Sequence, residues 1–150
     1  MNAAYWHLLF NHFPAIFEIA ALIVLACGVI WRSDLVKRAA FVLVVCAALT
    51  GVPAFKSGDE TADIVKTMDG VNKAAIEPHE EAAGATLVTV ALSAVAALFV
   101  LIRYRGARQI PGWATYVVAF LVVIATASAI YTSFLGGRIH HPEVHMRVKR

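Results

Sequence analysis

The sequence is poor in charged residues and in cysteine, and these two shortages exclude several classes of protein. Charged residues make up 15% of the 150 residues, whereas soluble domains carry roughly 25%. The formal net charge of +3 is scattered along the chain without a basic and aromatic patch, so we expect no nucleic-acid partner. The two cysteines form neither a CxxC pattern nor a zinc-ribbon spacing. A cysteine-based zinc site is therefore not predicted.

Recognisable enzyme motifs and targeting signals are also lacking. The chain contains no HExxH or comparable motif, so no particular enzyme class is predicted. No Lys or Arg precedes the first apolar run, and no convincing A-x-A cleavage site follows it, so we expect this run to be retained. The length suits one domain, and we interpret residues 1–150 as a single transmembrane domain.

Apolar residues are abundant and account for 60% of the chain. They form four long segments, at about residues 13–31, 39–55, 82–102 and 113–135. Each segment is close to the ~20 residues that a helix needs to cross the hydrocarbon core. Backbone groups in lipid must bond to one another, which favours helices here. The sequence therefore predicts an all-α, integral-membrane, up-down four-helix bundle that contacts the lipid bilayer.

The connections between these segments differ in charge. The two short connections are basic, with Arg32, Lys37 and Arg38 in one and Arg103, Arg105 and Arg108 in the other. Basic short loops are typical of the cytoplasmic side. We therefore predict a multi-pass protein of the bacterial inner (cytoplasmic) membrane with both termini in the periplasm.

The middle connection, residues 56–81, is longer and acidic. Its apolar residues Ile64, Val65, Met68 and Val71 are spaced as on one face of a helix. This spacing predicts a short amphipathic helix within the middle loop.

Histidines are concentrated at one predicted end of the bundle. Four spans place both termini and the middle connection on the same side of the membrane. That side carries all six histidines, which are His7, His12, His79, His140, His141 and His145. Separate helices could therefore bring several imidazoles to one site.

Glutamates accompany the histidines. Glu80 follows His79 in the first turn of the third predicted helix, where the helix dipole favours a carboxylate and a neutral imidazole. Glu18 lies inside the first apolar segment, where an acidic residue costs roughly 2.5–3.5 kcal/mol at the centre of a membrane helix. We therefore expect Glu18 to face the bundle and to have a partner or a proton, either as a hydrogen-bonded link between helices or as a functional group.

Four stretches carry a resemblance to a known family: HLLFNHFP, LTGVPAFKSG, IEPHEEAA and GGRIHHPE. With its NHFP, E-x-HEE and GG-x-I-x-H-x-E motifs, the chain resembles a family of uncharacterised bacterial four-helix predicted membrane proteins. The resemblance implies the fold and the membrane location, but no activity. The last motif of that family implies that His141 and Glu143 are the matching pair and that His140 is the more dispensable histidine.

Three functions fit these patterns, and we favour the first. In the first, His12 and His79, with His141 as a substitute, ligate a b-type haem that passes electrons between a membrane quinol and a periplasmic redox protein. In the second, a zinc, copper or iron ion is bound by the three histidines with Glu80 or Glu143. In the third, a cofactor-free bundle packs against a copy of itself or another membrane protein. His7, Glu18 and His140 are expected to support the site.

Overall fold

The computed structural model describes residues 2–106 and 108–141, and every regular element in these ranges is helical. The helices are α1 (Ala3–Phe10), α2 (Phe13–Ile30), α3 (Asp34–Lys66), α4 (Ile76–Arg103) and α5 (Gly112–His140). A short 3-10 helix, Lys73–Ala75, precedes α4. The prediction of an all-α fold is therefore confirmed.

Four stretches of helix are long and apolar enough to cross a membrane: Ala3–Ile30, Asp34–Lys66, Lys73–Arg103 and Gly112–His140. Helices α2, α3, α4 and α5 pack in a ring, in which α2 contacts α3 and α5, and α4 contacts the same two helices. Phe41 and Val44 of α3 are fully buried at its centre. Many large apolar side chains face outward instead, as is typical of membrane spans.

Side chains near the start of α3 fix the two short connections. The Ser33 hydroxyl accepts a hydrogen bond from the backbone N–H of Val36 and so caps α3. The Asp34 carboxylate accepts one from the N–H of Ile110, just before α5. The Arg38 guanidinium donates to backbone carbonyl groups of the connection between α4 and α5, at Tyr104, Gly106 and Arg108.

Helix α3 is longer than the sequence predicts. The predicted span ends at residue 55, but α3 continues to Lys66, and Ile64 and Val65 form part of its last turn. The prediction of a separate amphipathic helix in the middle loop is therefore wrong. Polar residues continue the helix beyond the apolar segment because Val65 packs against a small second core formed by Ala62, Ala75, Ile76 and Ile139. At 1.5 Å per residue, α3 is about 50 Å long.

The other helix boundaries follow local backbone chemistry. Pro14 lies in the first turn of α2, where its missing N–H costs nothing, and the turn at Asn11 and His12 separates α1 from α2. Helix α5 passes through Gly136 and Gly137 and ends at His140.

Candidate functional site

A cavity of about 720 Å³ lies at one end of the bundle. It is bordered by α1, the second half of α3, the start of α4 and the end of α5. Most of its wall is apolar and includes Leu8, Phe55, Val65, Leu87 and Val90. Such a cavity suits a largely apolar molecule, and the polar groups in the cavity wall determine which molecule binds.

His7 of α1 lines the cavity and is fixed by a backbone group of α3. Its Nδ1 lies 3.0 Å from the carbonyl oxygen of Ala54. A carbonyl oxygen only accepts hydrogen bonds, so Nδ1 carries the proton. In the neutral ring Nε2 then has no proton and is a hydrogen-bond acceptor.

His79 of α4 also lines the cavity and repeats this arrangement against α5. Its Nδ1 lies 3.1 Å from the carbonyl oxygen of Thr132, so the Nε2 of the neutral ring is again an acceptor. Within the described part of the chain, the Nε2 atoms of His7 and His79 have no hydrogen-bond partner.

A glycine lies under each imidazole, one helical turn after the carbonyl group that fixes the ring. A Cβ atom on Gly58, four residues after Ala54, would lie 3.1 Å from the His7 Cε1. A Cβ atom on Gly136, four residues after Thr132, would lie 3.0 Å from the His79 Cε1. A Cβ atom at either position would push the imidazole away by a few tenths of an ångström, so glycine allows the rings to lie this close to the neighbouring helix.

Hydroxyl groups form a second polar patch in the cavity wall, next to His79. The Thr86 hydroxyl of α4 lies 2.7 Å from that of Ser128 and 2.8 Å from that of Thr132, both on α5. Thr86 and Thr132 line the cavity, so this cluster can exchange hydrogen bonds with a bound molecule.

The remaining predicted site residues lie around the cavity without a common centre. His12 directly precedes α2 without a side-chain capping hydrogen bond, is exposed, and its Nδ1 contacts the side-chain oxygen of the adjacent Asn11. Glu80 is half-buried in the first turns of α4, and His140 and His141 are exposed at the end of α5. All four of these predicted residues line the cavity. Glu143 and His145 lie outside the described residues.

These positions overturn the predicted His/Glu cofactor site. Among residues 2–106 and 108–141, no group of three or more His, Cys, Asp or Glu side chains could hold a metal ion. The prediction of a protein whose function is to bind haem or another metal at such a cluster is therefore wrong. His7 and His79 are hydrogen-bonded to carbonyl groups of different helices, and His12 contacts its own neighbour, so these three histidines do not form a metal-binding group.

Glu18 of α2 lies inside the ring of helices and is fully buried. The Ser93 hydroxyl of α4 lies 3.2 Å from its Oε1 and 2.8 Å from the carbonyl oxygen of Val90, so it is hydrogen-bonded to both. Its Oε2 is buried and has no hydrogen-bond partner in the described chain.

Sequence reasoning missed the groups that orient the imidazoles. Gly58 and Gly136 were not recognised as contacts of His7 and His79, and backbone carbonyl groups leave no trace in a sequence. A usable signal does exist, because a glycine inside a helix costs stability unless something approaches it closely.

The fold and this cavity together define an all-helical protein with four candidate membrane spans and a largely apolar binding cavity at one end. No protein-family model, no curated protein and no solved structure matches the chain.

Proposed function

We propose that this protein is a membrane protein that binds a quinol in the cavity at one end of an up-down four-helix bundle. The observation that carries the proposal is the pair of imidazoles, His7 and His79, fixed through Nδ1 on two different helices, α3 and α5, in the wall of a largely apolar cavity. The resemblance to the uncharacterised membrane-protein family, and assembly with a copy or another membrane protein, remain predictions.

The imidazoles favour a ligand that carries hydroxyl groups. Both Nε2 atoms accept hydrogen bonds when the rings are neutral, so their natural partner is an O–H donor. The hydroxyl group of Thr86 can both donate and accept, and it accommodates the same kind of group. A quinone has carbonyl oxygens in place of these donors and is a poorer partner for the two rings.

The cavity wall favours a ligand from the membrane. Its volume of about 720 Å³ falls in the range of roughly 300–1,000 Å³ that is usual for small-molecule sites. An apolar wall with few polar groups binds a molecule that is itself mostly apolar. A quinol combines an apolar ring with two hydroxyl groups and dissolves in the bilayer.

The basic connections support an orientation for this site. Arg38 and Arg108 belong to the connections at the other end of the bundle, and basic loops favour the cytoplasmic side. On this basis, the chain lies in the bacterial inner membrane and the cavity opens on the periplasmic side, together with both termini.

Equilibrium dialysis of duroquinol, under anaerobic conditions and against the protein in lipid nanodiscs, tests the proposal. Empty nanodiscs correct for partition into lipid, and the dimethyl ether of duroquinol keeps the ring but lacks O–H donors. We expect duroquinol to bind more tightly than its ether. A neutral hydrogen bond contributes about 1 kcal/mol, so this difference is about fivefold for each imidazole used.

Substitutions at His79 assign the binding to the imidazole. In His79→Asn, the amide can still donate to the Thr132 carbonyl group, but the acceptor that Nε2 provided is gone. We expect the preference for duroquinol over its ether to fall about fivefold in this variant and to persist in Tyr131→Asn, a control on the exposed outer face of α5. Equal binding of the two compounds to the wild-type protein would refute the proposal.

A further inference from the structure

We propose that the Glu18 carboxyl group is a proton-binding site that exchanges its proton through the cavity and not through the opposite end of the bundle. The proposal goes beyond quinol binding, because it concerns a group in the layer below the cavity and needs no ligand.

The surroundings of Glu18 hold its carboxyl group in the neutral form. The four predicted spans contain no Lys, Arg or His, so α3, α4 and α5 present no cation to Glu18 within the apolar layer. The other titratable groups of these spans are Cys27 and Cys46, which are half-buried, and the exposed Tyr116 and Tyr131. A fully buried carboxylate without a cation is costly, so the group keeps a proton.

Even as a neutral acid, Glu18 has one carboxyl oxygen without a hydrogen-bond partner in the described part of the chain. The Ser93 hydroxyl has one proton and lies 2.8 Å from the carbonyl oxygen of Val90, which only accepts hydrogen bonds. The neutral carboxyl group can therefore donate from Oε1 to the Ser93 Oγ, 3.2 Å away, which leaves Oε2 as an acceptor. Oε2 has no donor among the described residues. Such an oxygen gains a hydrogen bond whenever a water molecule reaches it.

The direction of the Glu18 side chain leads to the cavity. Side chains on a helix point back toward its N-terminus, over the residues three and four positions earlier. For Glu18 these residues are Ala15 and Pro14, and both line the cavity. Gly51 of α3 belongs to the same layer, since a Cβ atom there would lie 3.9 Å from the Pro14 Cγ. Val90, one turn before Ser93, lines the cavity as well.

The other direction is closed. Beyond Glu18, the interior is filled by the main apolar core, which includes Ala21, Leu25, Phe41, Val44 and Val118. These side chains are at most 2% exposed. They offer no hydrogen-bonding groups along which a proton could pass, so the cavity is the more polar route.

Infrared spectroscopy of the protein in lipid nanodiscs tests both parts of the proposal. A neutral carboxylic acid has a C=O stretching band that is separate from that of a carboxylate and shifts when its proton is replaced by deuterium. We expect such a band in the wild-type protein and its loss in Glu18→Gln. After transfer to deuterated buffer, the rate of the shift reports how readily water reaches this one group.

Two substitutions near Glu18 distinguish the routes. Gly51→Leu adds bulk to the layer between the cavity and Glu18. A Cβ atom there would meet no side-chain atom closer than 3.7 Å, and Gly51 lines the cavity, into which the longer side chain can extend. Ile19→Phe adds similar bulk on the outer face of α2, where Ile19 is 39% exposed. We expect the exchange to slow at least several-fold in Gly51→Leu and to keep its rate in Ile19→Phe. Ala15→Phe fills the same layer from α2 and replaces Gly51→Leu if that variant does not fold.

Three results would overturn the inference. They are a wild-type spectrum without a neutral acid band that depends on Glu18, a band that does not exchange at all, and an exchange rate that neither cavity-filling variant lowers. The dialysis experiment with duroquinol can fail while this one succeeds, and the reverse also holds, so failures of the two proposals are distinguishable.

Discussion

Two adjacent glycines in α5 provide a sharp test of the way in which His79 is positioned. A Cβ atom on Gly136 would lie 3.0 Å from the His79 Cε1, whereas a Cβ atom on Gly137 would meet nothing within 4 Å. Both glycines belong to the same helix. Alanine at either position therefore changes the helix in the same way, but only Gly136→Ala disturbs the imidazole.

The expected magnitudes follow from these contacts. Gly137→Ala should stabilise the protein by up to about 1 kcal/mol, because alanine has the better helix propensity. Gly136→Ala has the same gain, but it loses the hydrogen bond from His79 to Thr132, at about 1 kcal/mol, and adds the cost of overpacking, at about 1–3 kcal/mol. The free energies of unfolding of the two variants should therefore differ by about 2 kcal/mol or more.

Unfolding by SDS titration from mixed micelles measures this difference, and a double-mutant cycle assigns it to the ring. In a His79→Ala background, Gly136→Ala should become as harmless as Gly137→Ala, because the group that it displaces is gone. Equal stabilities of the two alanine variants in the presence of His79 would refute the proposed role of Gly136.

Two further predictions concern the opposite end of the bundle and the orientation. Gly28→Ala should lower the free energy of unfolding by about 1–2 kcal/mol in the same titration. The reason is that its Cβ atom would lie 2.8 Å from the backbone nitrogen of Lys37, which cannot move aside. The control Gly84→Ala, whose Cβ atom has its nearest contact at 3.9 Å, should not destabilise the protein. The basic loops predict a periplasmic C-terminus. Alkaline phosphatase fused after residue 150 should therefore be active in bacterial cells, and green fluorescent protein at the same position should not fluoresce. The opposite result would reverse the proposed orientation.

The number and position of the long helices could be predicted from the sequence because apolar segments of this length have few alternatives. The end of α3 could not be predicted in this way. Hydropathy marks the apolar part of a helix and gives no information on polar turns such as those leading to Lys66. The cavity-lining histidines could be assigned to one end from topology alone. Whether their rings converge depends on side-chain rotation, which for His7 and His79 is decided by carbonyl groups of other helices.

For Glu18 as well, one part of the structure could be predicted from the sequence and another part could not. Its position in an apolar segment was enough to expect a side chain that faces the bundle. Its partner is one of several small polar residues on α4, and nothing in the spacing of Ser93 distinguishes it from Thr86 or Thr89 before the helices are packed.

The length of α3 has a consequence for what the cavity can present to other molecules. At about 50 Å, this helix exceeds the ~30 Å hydrocarbon layer by roughly 20 Å. Gly58, His79 and Gly136 each lie only one to three residues beyond the ends of the apolar segments. In the proposed membrane arrangement, a quinol that contacts both imidazoles would lie at the boundary between acyl chains and water. A water-soluble protein could reach the quinol there, although quinols are otherwise confined to the lipid.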